Sequence, residues 1–420
     1  METDPQNKLK TIRHVSNIIY IHFLIRKCGF MNLFIAIIIM EILAGAEVDL
    51  FVPSFPDLQD AFNISTFKVE FLLGINLISQ CVTALIVGNL GDRFGRRVII
   101  LIGLVIFVIG SVLCLFAIDY YMILFGRFLQ GVGISGVAVL CYPVLADIYS
   151  VEQQQQMVGT INGTISLAMA FAPVVGSYVN FLLSWRGNFA ILLILGVLCL
   201  IIGILFIPKG QANDNVKISL REYSVVFKSK KAIYYLITLI FLFQAYWVFI
   251  GIAPILYMRD LGVPIQQFGL YQGALAAIFS AFSFSNGYLL NKFGQKKCFF
   301  FSIAALVSFI IAAIILIILK TNDPLTITIV VQLVAIGSIF PCNILLPLAL
   351  DSIPKAKARF SAIFTSGRLI ITAICLQLAS YFYQGNFTSL AIVMCITIVI
   401  ALIFCYKLLQ EDKIFNKSEL

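Results

Sequence analysis

The feature that most constrains this chain is a succession of apolar runs, each of 18 residues or more, divided by short polar joints. A run of about 20 apolar residues is the length of helix that crosses the hydrocarbon core of a bilayer. Inside that core every backbone N–H and C=O must be satisfied within the protein, which for separate runs selects the α-helix. The pattern predicts twelve spans, at roughly 31–53, 68–89, 98–117, 121–144, 157–179, 189–207, 235–257, 267–290, 299–319, 325–349, 360–383 and 388–406. Composition agrees: 61% of residues are hydrophobic and 12% charged, against about 25% charged in a soluble domain.

The net charge of +9 raises the question of a nucleic-acid partner, and its distribution answers it. With the N-terminus placed in the cytoplasm, the termini and loops on that side hold 23 Lys and Arg, and the opposite loops hold four: Lys68, Arg186, Arg259 and Lys320. Only Arg127 and Arg368 fall inside spans. This asymmetry is the positive-inside signature of a multi-pass membrane protein. The even span count then puts both termini in the cytoplasm. The partners expected are lipid, a small-molecule substrate and protons, with no nucleic acid and a monomeric chain.

The ten cysteines show no CxxC or metal-ligand spacing and read as small apolar fillers. Both histidines, His14 and His22, precede the first span, so no membrane-embedded histidine relay or histidine metal site is expected. Ala44-Gly45-Ala46 resembles a signal-cleavage site. The long charged leader and the apolar run that continues past it argue against cleavage. Val15–Lys27 is apolar and basic, a pattern suited to a helix lying along the membrane surface.

The longest polar interruption, Pro208 to Lys231, contains six Lys or Arg. It divides the chain into a leader (1–30), a six-span half (31–207), a cytoplasmic linker (208–234), a second six-span half (235–406) and a tail (407–420). The halves share a repeat. Gly88-Asn-Leu-Gly-Asp-Arg-Phe-Gly-Arg-Arg97 recurs 199 residues later as Gly287-Tyr-Leu-Leu-Asn-Lys-Phe-Gly-Gln-Lys296. Both segments are expected in short cytoplasmic loops, after spans 2 and 8. Parallel six-span repeats with a site between them near the midplane are a known transporter construction.

At these residues the chain resembles the major facilitator superfamily. Gly88–Arg97 matches that family's G-x-L-x-D-R-x-G-R-R signature, and Arg127-Phe-Leu-Gln-Gly-Val-Gly133 resembles its R-x-x-Q-G-x-G motif. The resemblance implies an all-α fold, two six-helix pseudo-repeats around a central cavity. It also implies a cytoplasmic latch built from Gly88, Asp92, Arg93, Gly95, Arg96, Arg97 and Asp147. Ala172-Pro-Val-Val-Gly-Ser177 resembles the antiporter motif G-P-x-x-G-G through Pro173 and Gly176, and departs from it at Ala172 and Ser177. Asp49-Leu-Phe-Val-Pro-Ser-Phe-Pro56 resembles the span 1 ending of bacterial drug/proton antiporters of the Bcr/CflA and MdfA types.

Span 1 carries Glu41, Glu47 and Asp49. Each charge at the centre of a bilayer costs about 2.5–3.5 kcal/mol on insertion scales, so three in one span need a reason. Glu41 and Asp49 lie about 80° apart around a helix and about 12 Å along it, and can share one cavity-facing surface. Glu47 lies about 120° from Glu41 and about 160° from Asp49, which points it to an outer mouth or another helix. Glu41, Glu47 and Asp49, with Arg127, are the expected proton-coupling residues. Arg368, Asn343 and Tyr142 are the expected substrate contacts, and Arg368 either binds an anionic group or neutralises a span 1 carboxylate.

The chain contains no GxxxxGK[ST] loop, so energy is expected from a gradient rather than from ATP. No cofactor, metal or enzymatic activity is expected. The reading is a proton-driven exporter of small drug-like or siderophore-like compounds in a bacterial inner membrane. The alternative is a proton-coupled symporter importing an anionic or zwitterionic metabolite.

Overall fold

The computed structural model describes residues 32–210 and 219–412. The expected surface helix at Val15–Lys27 lies outside them. The described residues are helical and contain no strand.

The first helix, α1, covers 32–49 and ends where Pro53 and Pro56 withdraw backbone donors. A 3₁₀ turn, Val52–Ser54, leads into the short α2, Phe55–Phe62. Then follow α3 (Thr66–Phe94), α4 (Arg96–Leu115), α5 (Tyr120–Ile148) and α6 (Val151–Phe206). The next elements are a 3₁₀ turn at Leu220–Tyr223, α7 (Ser224–Lys228), α8 (Lys230–Pro254), α9 (Ile265–Phe293) and α10 (Gln295–Leu319). The chain closes with α11 (Pro324–Ser352), α12 (Lys357–Tyr381) and α13 (Phe387–Asp412).

Ten of these helices are long and apolar enough to cross a membrane. One of the ten, α6, is a 56-residue element broken at Ser184, where φ is 60° and ψ −176°. Its start packs beside α9, with Gly159 against Asn286. Past its end, Gly210 lies beside Gly95. The chain therefore goes out and comes back through Ser184 and supplies two spans. With α1, whose three acidic residues set it apart in composition, the spans number twelve.

The expected loop between spans 5 and 6 is thus a single-residue reversal. The signature segment needs a similar correction: Gly88–Phe94 forms the last turns of α3, Arg96 opens α4, and Gly95 alone is the joint. Its φ of 90° suits a residue without a Cβ. Gly294, with φ 81°, makes the equivalent joint between α9 and α10.

Residues 33–207 share one apolar core, to which Tyr223, Ala358 and Ala362 are added from later in the chain. Residues 242–401 build a second core. A third joins Ala146 and Val158 to residues between 226 and 408. Isoleucines such as Ile102, Ile109, Ile201, Ile314 and Ile396 remain about half exposed, as the lipid-facing side of a multi-pass membrane protein requires.

The first six spans meet the last six along two seams, α3 with α12 and α6 with α9. The hydrogen bonds that cross these seams run from near the basic-side ends, Gln156 with Asn291 and Gln155 with Asn286, to mid-helix, Cys81 with Ser366 and Gly163 with Ser280.

Candidate functional site

The basic-side closure rests on two carboxylates. Asp92, in the last turn of α3, faces the N-terminus of α12, where Ala358 N and Arg359 N approach its oxygens at 3.4 Å each. A carboxylate there meets free N–H groups and the positive end of the helix dipole. The Arg359 side chain completes the contact, with Nε 3.0 Å from Asp92 Oδ2, both groups nearly excluded from solvent. Arg359 also reaches the linker segment, donating through Nη1 to Glu222 Oε2 at 3.3 Å and to the Glu222 carbonyl at 2.9 Å. The second carboxylate, Asp147, pairs with Arg96 and accepts from Lys357 Nζ at 3.3 Å, so it ties α4 and α5 to α12.

Two packing features bring these charges together. Gly88 lies so close to α12 that a Cβ built on it stands 2.5 Å from the Ala362 Cβ. The Tyr223 hydroxyl, from the linker, donates to the Leu85 carbonyl beside that notch. Burial pushes the phenol above the ordinary tyrosine range, so it stays a donor.

Among the expected latch residues, Gly88, Asp92, Arg96 and Asp147 meet at the seam, and Gly95 forms the adjoining turn. Arg97 instead donates to the Ile204 carbonyl at 2.7 Å. Arg93 lies over the Phe94 ring, 5.2 Å from its centroid. Arg359, Lys357 and Glu222 were not singled out from the sequence. They stand in basic-side segments where positive-inside anchoring already accounts for a Lys or Arg. The Lys355-Ala-Lys-Ala-Arg359 run opening span 11 was the available signal.

The repeat-related seam is neutral. Asn291, the counterpart of Asp92, accepts from Gln156 Nε2 at 2.9 Å, and Asn286 donates to the Gln155 carbonyl at 2.7 Å.

Deeper in the membrane, a polar layer spans the two sets of helices. Counted from their basic-side ends, Cys141 lies seven residues into α5, Asn343 nine into α11, and Asn162 and Arg368 eleven into α6 and α12. At 1.5 Å per residue this is a shared depth of about 10–17 Å. Glu41 is 5% exposed and accepts from the Cys141 thiol. Its Oε1 has no hydrogen-bond partner. Tyr142 donates to Asn162 Oδ1 at 3.2 Å, and Asn162 donates to Asn343 Oδ1 at 2.8 Å, closing a chain from α5 through α6 to α11.

Arg368 lies over the Phe243 ring at 5.5 Å. Its Nε and the Asn343 Nδ2 are buried without partners. Arg368 interacts electrostatically with Tyr142 and Glu41, yet among the described residues no ion pair joins it to a carboxylate. The structure thus brings four expected residues, Glu41, Tyr142, Asn343 and Arg368, into one layer.

Glu47 and Arg127 lie elsewhere, in a buried network among the first helices that leaves Glu47 Oε1 and Arg127 Nη2 without partners. Both are fully buried, with Arg127 Nη1 3.4 Å from Glu47 Oε2. Asn76 donates to Glu47 Oε2 at 3.3 Å and to the Arg127 carbonyl at 3.2 Å. Arg127 donates to Gln130 Oε1 at 2.8 Å, and Gln130 donates to Ser111 at 2.9 Å. The guanidinium covers Phe51, 4.4 Å from its centroid. Asp49 is half-buried at the end of α1 and has no hydrogen-bond or ion-pair partner among the described residues; it senses the charge of Glu47. Gly176, three residues after Pro173 in α6, forms the wall against that end of α1. A Cβ on Gly176 would stand 2.1 Å from the Leu50 carbonyl. Asn188 donates to the Gly176 carbonyl at 3.1 Å and to Ser54 at 2.8 Å.

Twelve spans, a charged seam on one side and a polar layer between two helix sets define a multi-pass membrane protein built from two sets of helices. The Major Facilitator Superfamily model matches residues 37–251 and again 235–419, and the chain belongs to that family. It is 26% identical over 267 residues to a bicyclomycin resistance protein homolog of Haemophilus influenzae. It is 23% identical over 266 residues to the multidrug resistance protein MdtL of Salmonella dublin. Each match covers 61% of this chain, and the chain spans 66% of the length of either relative. In three dimensions it is similar to the E. coli fucose:proton symporter FucP, with a TM-score of 0.70 and 14% identity over 90% of this chain and 98% of that one.

Proposed function

We propose that the chain is a proton-driven exporter of small, drug-like or siderophore-like organic molecules, working by alternating access as a monomer. The cell membrane is the bacterial inner membrane, with both termini cytoplasmic. On this reading the basic-side seam is the cytoplasmic gate, shut in this structure.

The observation that carries the reading is Glu41: a buried carboxylate with an unpartnered oxygen, at the meeting of the two helix sets, just beyond a closed gate. A carboxylate so placed can hold a proton when one face is open and release it when the other opens. Asp49, half-buried and without a hydrogen-bond partner, is the second proton carrier. Glu47 and Arg127 carry neither proton nor substrate in this scheme, because they pair with each other inside the network that joins α1, α3 and α5, with Glu47 Oε1 and Arg127 Nη2 left without further partners. The drug-resistance names of the two relatives support export of drug-like compounds.

Everted vesicles test the proposal. With bicyclomycin and a panel of drug-like compounds, addition of a transported compound is expected to release protons from vesicles energised by respiration. Glu41→Gln and Asp49→Asn are each expected to abolish that release at wild-type protein levels. Proton uptake with substrate would make the carrier a symporter, and unchanged release in both variants would overturn the assignment of the carboxylates.

A further inference from the structure

The polar layer contains two opposite charges that do not pair. Glu41 comes from the first helix and Arg368 from α12, on opposite sides of the seam, and each retains a buried atom without a partner, Glu41 Oε1 and Arg368 Nε. They interact electrostatically without forming an ion pair. Local contacts hold them in place. The Cys141 thiol occupies the Glu41 carboxylate on one side. Phe243 presents its ring to the guanidinium. Gln244 and Thr372 fix the backbone of Arg368, with Thr372 donating to the Arg368 carbonyl at 2.8 Å or to Gln244 Oε1 at 2.7 Å. Tyr142 interacts electrostatically with both charges. Beside Cys342, which interacts with Arg368, Asn343 offers a third unsatisfied atom, the donor Nδ2.

The unpaired atoms of these three residues divide between the two sets of helices. Donors, Arg368 Nε and Asn343 Nδ2, come from the last six helices, and the free acceptor, Glu41 Oε1, comes from the first. A buried unpaired charge is costly in a low-dielectric site. A purely cationic ligand would answer Glu41 and leave Arg368 uncompensated; a purely anionic one would do the reverse. A ligand carrying both charges answers both and adds no net charge to the layer.

We propose that this layer binds bipolar molecules, with an anionic group held by Arg368 and Asn343 Nδ2 and a cationic group held by Glu41. The assignment rests on the transport reading above for its meaning as a substrate class. As a binding site it is tested separately. Because its two poles come from the two helix sets, such a ligand also bridges the parts that move in alternating access.

The experiment uses two sets of probes matched in skeleton and differing in charge. One is L-phenylalanine, phenethylamine and 3-phenylpropionate. The other is norfloxacin, its methyl ester and N-acetylnorfloxacin. Equilibrium dialysis at pH 7 against the purified full-length protein is expected to show, in at least one set, the bipolar member binding at least about tenfold more tightly than both others. Arg368→Gln is expected to bring the bipolar member down to its amine or ester counterpart. Glu41→Gln should bring it down to the propionate or N-acetyl counterpart. Equal binding within each set, or no binding in either, overturns the proposal on the wild-type protein alone, whether or not the variants fold. Proteoliposomes separate this from the transport reading. Gradient-driven flux of these or other compounds without a bipolar preference overturns the present inference and leaves proton-driven transport standing. A bipolar preference in binding without gradient-driven flux supports this inference and overturns the other.

Discussion

Replacing Gly88 by alanine adds one methyl group at the tightest point of the α3–α12 seam. The new Cβ would lie 2.5 Å from Ala362 Cβ, 2.8 Å from the Tyr223 hydroxyl and 3.0 Å from the Ala358 carbonyl. Carbon atoms in contact prefer about 3.5–4.0 Å, so the two helices must part by about 1 Å where they hold the Asp92–Arg359 pair. Overpacking of this kind costs about 1–3 kcal/mol. The cost falls only on the state in which α3 and α12 touch, so it shifts the gate equilibrium toward opening by about 5–150-fold.

The repeat supplies the control. A Cβ on Gly287 would meet Gln156 no closer than 3.4 Å, an ordinary contact with a flexible side chain. Gly287→Ala is expected to leave the equilibrium unchanged. Dyes carried on non-canonical residues at Phe94 and Lys355 report the gate by single-molecule energy transfer, without touching the native cysteines. An unchanged distance distribution in Gly88→Ala would refute the reasoning, and so would an equal shift in Gly287→Ala.

Arg127→Met strands the Glu47 carboxylate in an apolar interior and is expected to lower unfolding stability by about 3–5 kcal/mol; adding Glu47→Gln should recover part of the loss in the same thermal unfolding assay. Asp92→Asn is expected to slow transport cycling while equilibrium binding of substrate stays within about twofold, since Glu222 still holds Arg359; a large loss of affinity at unchanged cycling rate would contradict this. Gly176→Ala drives a methyl into the Leu50 carbonyl, and a melting temperature equal to wild type would count against the tight α1–α6 wall. Asp323 caps α11 through Thr326, whose donors hold its carboxyl below the usual carboxylate range. Its contribution is therefore complete above that range and lost as pH falls through the depressed value. The difference in melting temperature between wild type and Asp323→Ala should be present at pH 7 and vanish in strong acid.

Much of this architecture is legible without coordinates, because a bilayer leaves the chain few choices. Span number, the direction of the charge asymmetry and the repeat around Gly88 and Gly287 all follow from local hydrophobicity and residue spacing. The angular argument for Glu47 also held locally: a position well away from Glu41 around the helix turned to a neighbouring helix, and Arg127 is what it met.

What local pattern does not contain is which helix lies opposite which. That decided the partners of Asp92, since Arg359 lies 267 residues away and nothing in its own segment distinguishes a gate arginine from a membrane anchor. It decided that two glycines in matching repeats differ, one pressed against a helix and the other against a side chain able to move. It also decided that Arg368 meets the field of Glu41 without closing an ion pair. The distance between two charges on different helices is set by the packing around them, here Phe243 at Arg368, Cys141 at Glu41 and Tyr142 near both, and that packing exists only once the two sets of helices have met.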